Sequence, residues 1–241
     1  MSLQEKKIEI LNEIKKGESF KLLNEKINDN IHCSCHNQIH ILYDLRNLIK
    51  KEKCVYVEIG SWLGDSACLL LRNNNKTELY CIDLFEYNTN YKYFYKELEK
   101  IKPNERKTQE ELLKNRLIKH NVNNYNFNII KGRSDSSNII KKISQLKIDI
   151  LFIDGSHLFQ NVINDFKNYE KFVEKGGFIV FDDYQDLKYC PEVKKAVDFI
   201  LNNMDLSEYL IIGSLERQFD YDNWASKNSK YSTEFILYKK L

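Results

Sequence analysis

The stretch VEIGSWLGDSA, residues 57–67, decides how the chain is read. Val57 and Ile59 belong to a short apolar run, CVYVEIG (54–60). Gly60 and Gly64 then bracket Ser61, Trp62 and Leu63 ahead of a helix-like segment at 65–72. Strand, glycine turn and helix in that order make the first half of a β–α–β unit, and in an open α/β sheet ligands bind beyond such a strand end. Gly60 and Gly64 would let backbone run close to a ligand, and Ser66 lies at the helix start, where hydroxyl and amide donors are on offer. Glu58, taken as ionised, would repel a phosphate and attract an ammonium group. The dinucleotide fingerprint G-x-G-x-x-G requires glycine where Trp62 stands, which argues against a pyrophosphate pressed onto the helix start.

Working outward, four more runs read as strands: ELYCIDLF (78–85), NFNIIKG (126–132), IDILFIDG (148–155) and GFIVFDD (177–183). They are apolar at nearly every position, as strands covered on both faces must be, and this predicts a parallel sheet. Helical patterns at 65–72, 108–120, 136–145 and 161–174 separate them, the last stopped by Gly176–Gly177. Repeated β–α–β units predict right-handed crossovers. YLIIGSL (209–215) and TEFILYKKL (233–241) read as an antiparallel pair. The expected fold is therefore α/β, a Rossmann-like, doubly wound, mostly parallel sheet with a C-terminal antiparallel edge hairpin. We expect an N-terminal helical segment, 1–50, and a main domain, 51–241. A Tyr- and Lys-rich interruption at 86–107 reads as a substrate-side lid or a solvated helical insertion.

Hydrophobic residues make up 42% of the 241 and aromatics 12%, with only 8 Gly and 2 Pro, which places the chain among globular proteins. A net charge of +2 spread along the sequence gives no reason to expect a nucleic-acid partner. No apolar run approaches the roughly 18 residues of a membrane span. The charged start MSLQEKKIEI has no signal-peptide core, so a cytoplasmic location is expected. Cys54, Cys68 and Cys81 fall in apolar segments and read as reduced core thiols. HCSCH (32–36) has zinc-ligand types at too tight a spacing and reads as a loop or helix start.

The chemistry concentrates at strand ends. Asp83 closes the second strand about 20 residues after the glycine turn, where an acid accepts hydrogen bonds from ribose hydroxyls. With Glu58, Gly60, Ser61, Gly64 and Ser66 it suits a nucleoside carrying an amino acid, S-adenosylmethionine. The E-x-G-x-x-x-G segment resembles the first motif of class I methyltransferases, and Asp83 matches their ribose-binding acid. Asp154 and the adjacent Asp182 and Asp183 end neighbouring strands, and three converging carboxylates raise one another's pKa unless a hard cation such as Mg²⁺ joins them. His157 opens onto the same mouth, where a neutral imidazole could take a proton near pH 7.

FIDGSHLFQNVINDFKNYEKFVEKGGFIVFDDY (152–184) is similar to the core of cation-dependent O-methyltransferases, in the branch of the macrolide-sugar and cephalosporin-cluster enzymes. The resemblance covers about 54–184. It implies that Asp154, Asp182 and Asp183 hold the metal, that His157 is the base, that Asp154 also lines the cofactor site, and that Ser134 or Asp135 contacts adenine. Catechol-type relatives have Lys in place of His157 and Asn in place of Asp183, so a catechol is not the expected acceptor. The resemblance implies a hydroxylated small molecule, a sugar or glycan precursor such as a nucleotide-sugar of surface polysaccharide. The aromatic interruption could stack on pyranose faces. An NAD-dependent oxidoreductase and a non-catalytic relic of the fold are the competing readings, and a homo-oligomer is left open.

Overall fold

A computed structural model describes residues 2–15, 40–86, 108–216 and 231–241. The HCSCH cluster and residues 87–107 of the interruption lie outside the described residues, and with them the zinc, lid and stacking expectations.

Seven strands form one sheet in the order β3-β2-β1-β4-β5-β7-β6. Strands β1 (Cys54–Ile59), β2 (Thr77–Asp83), β3 (Phe127–Lys131), β4 (Ile148–Ile153) and β5 (Val173–Phe181) run parallel. Strand β7 (Tyr231–Lys239) inserts antiparallel between β5 and β6 (Tyr209–Glu216). The expected doubly wound sheet with an antiparallel end is present, and β6 forms its edge.

Side chains alternate between two cores, which is why the strands read as apolar throughout. Tyr56, Phe152, Phe178 and Val180 face one layer; Ile59, Leu151, Ile153, Ile179 and Phe181 face the other. The first layer contains α1 (Leu3–Lys15), α2 (His40–Leu48), α3 (Asp65–Leu71) and α4 (Gln109–His120), with Ile10, Ile14, Ile41, Leu42 and Leu45 fully buried. The second holds α5 (Ser137–Ile143), α6 (Phe159–Tyr169) and α7 (Pro191–Asn203). Thr108 and Glu111 close a capping box on α4, and the Ser136 hydroxyl caps α5.

One boundary differs from expectation. Helix α6 stops at Tyr169, a 3₁₀ turn spans Glu170–Phe172, and β5 already begins at Val173, paired with Ile148. Gly176, at φ +84°, lies inside β5 near a register shift between Ile148 and Ile150. The double glycine accommodates a strand irregularity instead of ending a helix; Phe172 closes the 3₁₀ turn and Val173 already belongs to the strand.

The registers bring the catalytic-looking ends level. Ile59 pairs with both Ile82 and Ile153, and Ile153 with Phe181. Backbone bonds extend the ladder one residue further: Asp154 N donates to Ile59 O at 2.9 Å and Asp182 N to Ile153 O at 3.1 Å. The strand order reverses between β1 and β4, the position where open α/β sheets bind ligands.

Candidate active site

The loop after β1 is held in place by its own neighbours. A Cβ at Gly60 (φ +90°) would collide with the Asp154 carbonyl, and one at Gly64 (φ +77°) with the Leu113 side chain. Both positions need glycine before any ligand is considered. Helix α4 grips the residues between them: Gln109 Nε2 donates to Trp62 O at 3.3 Å, and the buried Arg116 donates to Leu63 O and pairs with Asp65 Oδ1 at 2.7 Å. Asp83 completes the frame, accepting from Trp62 N and Phe85 N, each at 2.8 Å. Burial raises the Asp83 carboxyl, and those two amides pull it back.

Glu58 is fully buried at the end of β1. Its Oε2 accepts from the Tyr56 hydroxyl at 2.6 Å and from the Ser66 hydroxyl, so Ser66 is turned inward. Burial lifts Glu58 to a pKa of about 7 against the lowering effect of Ser66 and Tyr56. The expectation of a plainly ionised Glu58 is corrected: desolvation makes its carboxyl hold the proton well above the ordinary carboxylate range. Glu58 Oε1 and Ser61 Oγ are both buried and make no hydrogen bond of good geometry among the described residues. Two buried polar atoms beside the glycine loop, near enough for Ser61 to lower the Glu58 carboxyl, are acceptors that an incoming ammonium group would engage.

Beyond β3, Ser134 donates to Asp165 Oδ1 at 2.6 Å, and the Tyr169 hydroxyl donates to Ser134 O at 2.6 Å. Asp135 is exposed and takes a two-pronged bond from Arg133, at 2.9 and 2.7 Å, which lowers its pKa.

At the ends of β4 and β5, Asp154, Asp182 and Asp183 each present a carboxylate oxygen, all within 4.8 Å of one another. Asp182 and Asp183 are buried, and Asp183 sits at φ +57°. His157 does not cap α6, whose N-cap is Leu158. Its Nε2 lies 3.2 Å from Asp183 Oδ2 and 3.7 Å from Asp154 Oδ1, with 44% of the side chain exposed. Burial opposes its charge, but the hydrogen bond with Cys190 and the charges of Asp183 and Asp182 prevail, holding the pKa at about 9. In the protein without a cation, the bond with Cys190 and the neighbouring carboxylates therefore favour the protonated ring, in place of the neutral imidazole expected near pH 7.

Residues 57–184, more than half of the chain, match a family described as a methyltransferase domain. The chain belongs to this methyltransferase family. An uncharacterized protein of Acanthamoeba polyphaga mimivirus is 39% identical over 176 residues, covering 72% of this chain and 71% of the relative. An SAH-bound Podospora anserina methyltransferase shares the fold with a TM-score of 0.55 at 12% identity, over 95% of this chain and 88% of that one. An O-methyltransferase from Bacillus cereus in complex with SAH gives 0.52 at 14% identity, over 94% and 89%. At these identities the two structures speak to the fold alone.

Three groups in this methyltransferase escape a reading of strand ends. Cys190 precedes α7, and its Sγ lies 3.3 Å from His157 Nδ1. Asp165, buried on α6, holds Ser134 and is raised to a pKa of about 6, chiefly by burial. Glu234 is fully buried in β7, and the Phe181–Phe235 register sets it beside Asp182. Only Glu234 leaves a mark in the sequence, as an acid opening the apolar run EFILY. Among the described residues no helix is long and apolar enough to cross a membrane.

Proposed function

We propose that the protein is an S-adenosylmethionine-dependent, cation-assisted O-methyltransferase that acts on a hydroxylated small molecule, with a sugar or glycan precursor as acceptor. The observation that carries this reading is the convergence of Asp154, Asp182 and Asp183, with Nε2 of His157 beside Asp183 and Asp154, at the same sheet edge as the glycine loop. S-adenosylhomocysteine (SAH) in the two related structures supports the methyl donor. The buried Glu58 Oε1 and Ser61 Oγ fit its ammonium group, and Asp83 retains acceptor capacity for ribose hydroxyls.

The three-carboxylate donor set fits a hard divalent cation, Mg²⁺ by chemical class. Bound there, the cation would supply positive charge that acidifies an acceptor hydroxyl and offsets the carboxylates. The chain's own residues do the rest. His157 Nε2 faces the mouth and takes the hydroxyl proton once it is neutral, and charge compensation of Asp182 and Asp183 weakens the attraction that keeps it protonated. The loop gripped by α4 fixes the donor so that the acceptor oxygen meets the methyl carbon in line, and positioning provides much of the acceleration. His157 and Asp183, in place of the Lys and Asn of catechol-type relatives, support an aliphatic hydroxyl as acceptor.

Transfer of labelled methyl from S-adenosylmethionine to a panel of nucleotide-sugars, in Mg²⁺ and in chelator, tests the proposal. Transfer that requires the cation is expected. Full activity in excess chelator would remove the metal from the account, and labelling confined to phenolic acceptors would remove the sugar.

A further inference from the structure

His157 stands between two unlike sets of neighbours. Nε2 faces Asp183 and Asp154, whereas Nδ1 faces the Cys190 thiol at 3.3 Å. Cys190 is carried there by α7, as the residue before its first-turn Pro191, and is 8% exposed. His157, Asp183 and Cys190 each offer one ligand atom, and these lie within 4.8 Å of one another. This nitrogen–sulfur–oxygen trio shares Asp183 with the oxygen-only trio of Asp154, Asp182 and Asp183.

We propose that His157, Cys190 and Asp183 form a second cation site, selective for a thiophilic divalent ion such as Zn²⁺, whose occupation switches off the catalytic base. The donor set is one that zinc takes and that Mg²⁺ has no use for, since hard cations prefer oxygen. Zinc bonds of about 2.3 Å to sulfur and 2.0 Å to nitrogen in a tetrahedron place the two donors about 3.5 Å apart, close to the spacing already present. The half-exposed imidazole leaves an entry path for the ion.

Inhibition follows from proton bookkeeping in the ring. A neutral imidazole carries one ring proton. For His157 to act as base at Nε2, that proton must sit on Nδ1, donated toward Cys190 Sγ. A cation bound through Nδ1 takes up that lone pair, so the ring proton moves to Nε2 and the nitrogen facing the acceptor has nothing left to accept with. The thiol proton passes to solvent as the thiolate binds. Asp183 cannot serve both trios fully, so the oxygen site weakens as well. The inhibitory consequence rests on the proposed function; the site itself does not.

Cobalt(II) is the optical probe, in a full-length Cys33→Ser/Cys35→Ser background that removes the HCSCH thiols. One equivalent should produce a thiolate-to-cobalt charge-transfer absorption that Zn²⁺ abolishes and excess Mg²⁺ does not. Cys190→Ser and Cys190→Ala should both lose the absorption, with circular dichroism matching the parent, and His157→Gln should weaken binding at least tenfold. No thiolate band, or a band that survives in the Cys190 variants, overturns the site. In methyl-transfer assays, stoichiometric Zn²⁺ should lower turnover at least tenfold, but less than twofold in Cys190→Ser measured against its own zinc-free rate. A cobalt band lost in Cys190→Ser without zinc inhibition would keep the site and overturn the base assignment. The optical titration decides the site even in a preparation that transfers no methyl group.

Discussion

Strand β4 has an aspartate at each end, and the two have opposite surroundings. Asp149, 2% exposed, accepts from Lys51 Nζ at 2.6 Å and from Val55 N at 2.9 Å. Near it at the amino edge, the buried Arg46 donates to Thr77 Oγ1 at 3.1 Å, Ile49 O at 3.1 Å and Lys76 O at 2.6 Å. Asp154, one residue past the other end, lies among Asp182 and Asp183, with the His157 imidazole beside Asp154 and Asp183. The amino edge matches opposite charge and donor to acceptor within the fold, so its polar residues serve stability. The carboxyl edge gathers like charge, which costs stability unless a ligand joins it, and that clustering supports the site proposed there.

The comparison breaks most visibly in turnover. His157→Ala should cut methyl transfer by about 10³-fold while SAH binding changes little; unchanged turnover would remove the base. Next comes the glycine that joins β1 to β4. Gly60→Ala forces a Cβ into the Asp154 carbonyl at a positive φ and should cost about 3 kcal/mol or more in denaturant unfolding. Gly213→Ala, also at positive φ but with nothing within 4 Å, should cost only about 1 kcal/mol.

Removing a carboxylate should act oppositely at the two ends. Asp149→Asn should destabilise by about 1–2 kcal/mol, most of it from the Val55 amide, since Lys51 is half exposed. Without divalent cations, Asp182→Asn should leave the midpoint unchanged or raise it; a larger loss at Asp182 than at Asp149 would reverse the comparison. The smallest effect belongs to Asp165. Its folded pKa of about 6 lies above the ordinary aspartate value of 3.8, so the folded state binds more protons between those values. The contribution of Asp165 to stability should thus fall as pH rises from about 4 to about 6 and stay low above that. Asp165→Asn should flatten that part of the stability–pH curve and, by forfeiting the charge-assisted bond from Ser134, lower its level above pH 6 by about 1 kcal/mol.

Much of this was legible because strand ends announce themselves. CVYVEIG and IDILFIDG carry their apolar character on both faces and stop at glycine or acid, so the sheet and the level of Glu58, Asp83, Asp154 and Asp182 follow from local pattern. Gly176–Gly177 misled because a double glycine after a helical pattern resembles a stop, and only pairing with β4 shows that β5 begins at Val173. Cys190 was invisible for a different reason. Its contact with His157 spans 33 positions and depends on where α7 lands, which no local spacing encodes. The burial that moves Glu58 to a pKa of about 7 and the charges that hold His157 at about 9 are likewise products of packing.

The most direct measurement is a calorimetric titration of SAH into the purified protein at pH 6 and pH 8, each with Mg²⁺ and with chelator. The account predicts one-to-one binding that is tighter at pH 8, because Glu58 must give up its proton to face the ligand's ammonium group, and that is lost or weakened at least tenfold in Asp83→Ala. No binding under any of the four conditions would contradict it: the fold and family would stand, and the carboxyl edge would have to serve another ligand.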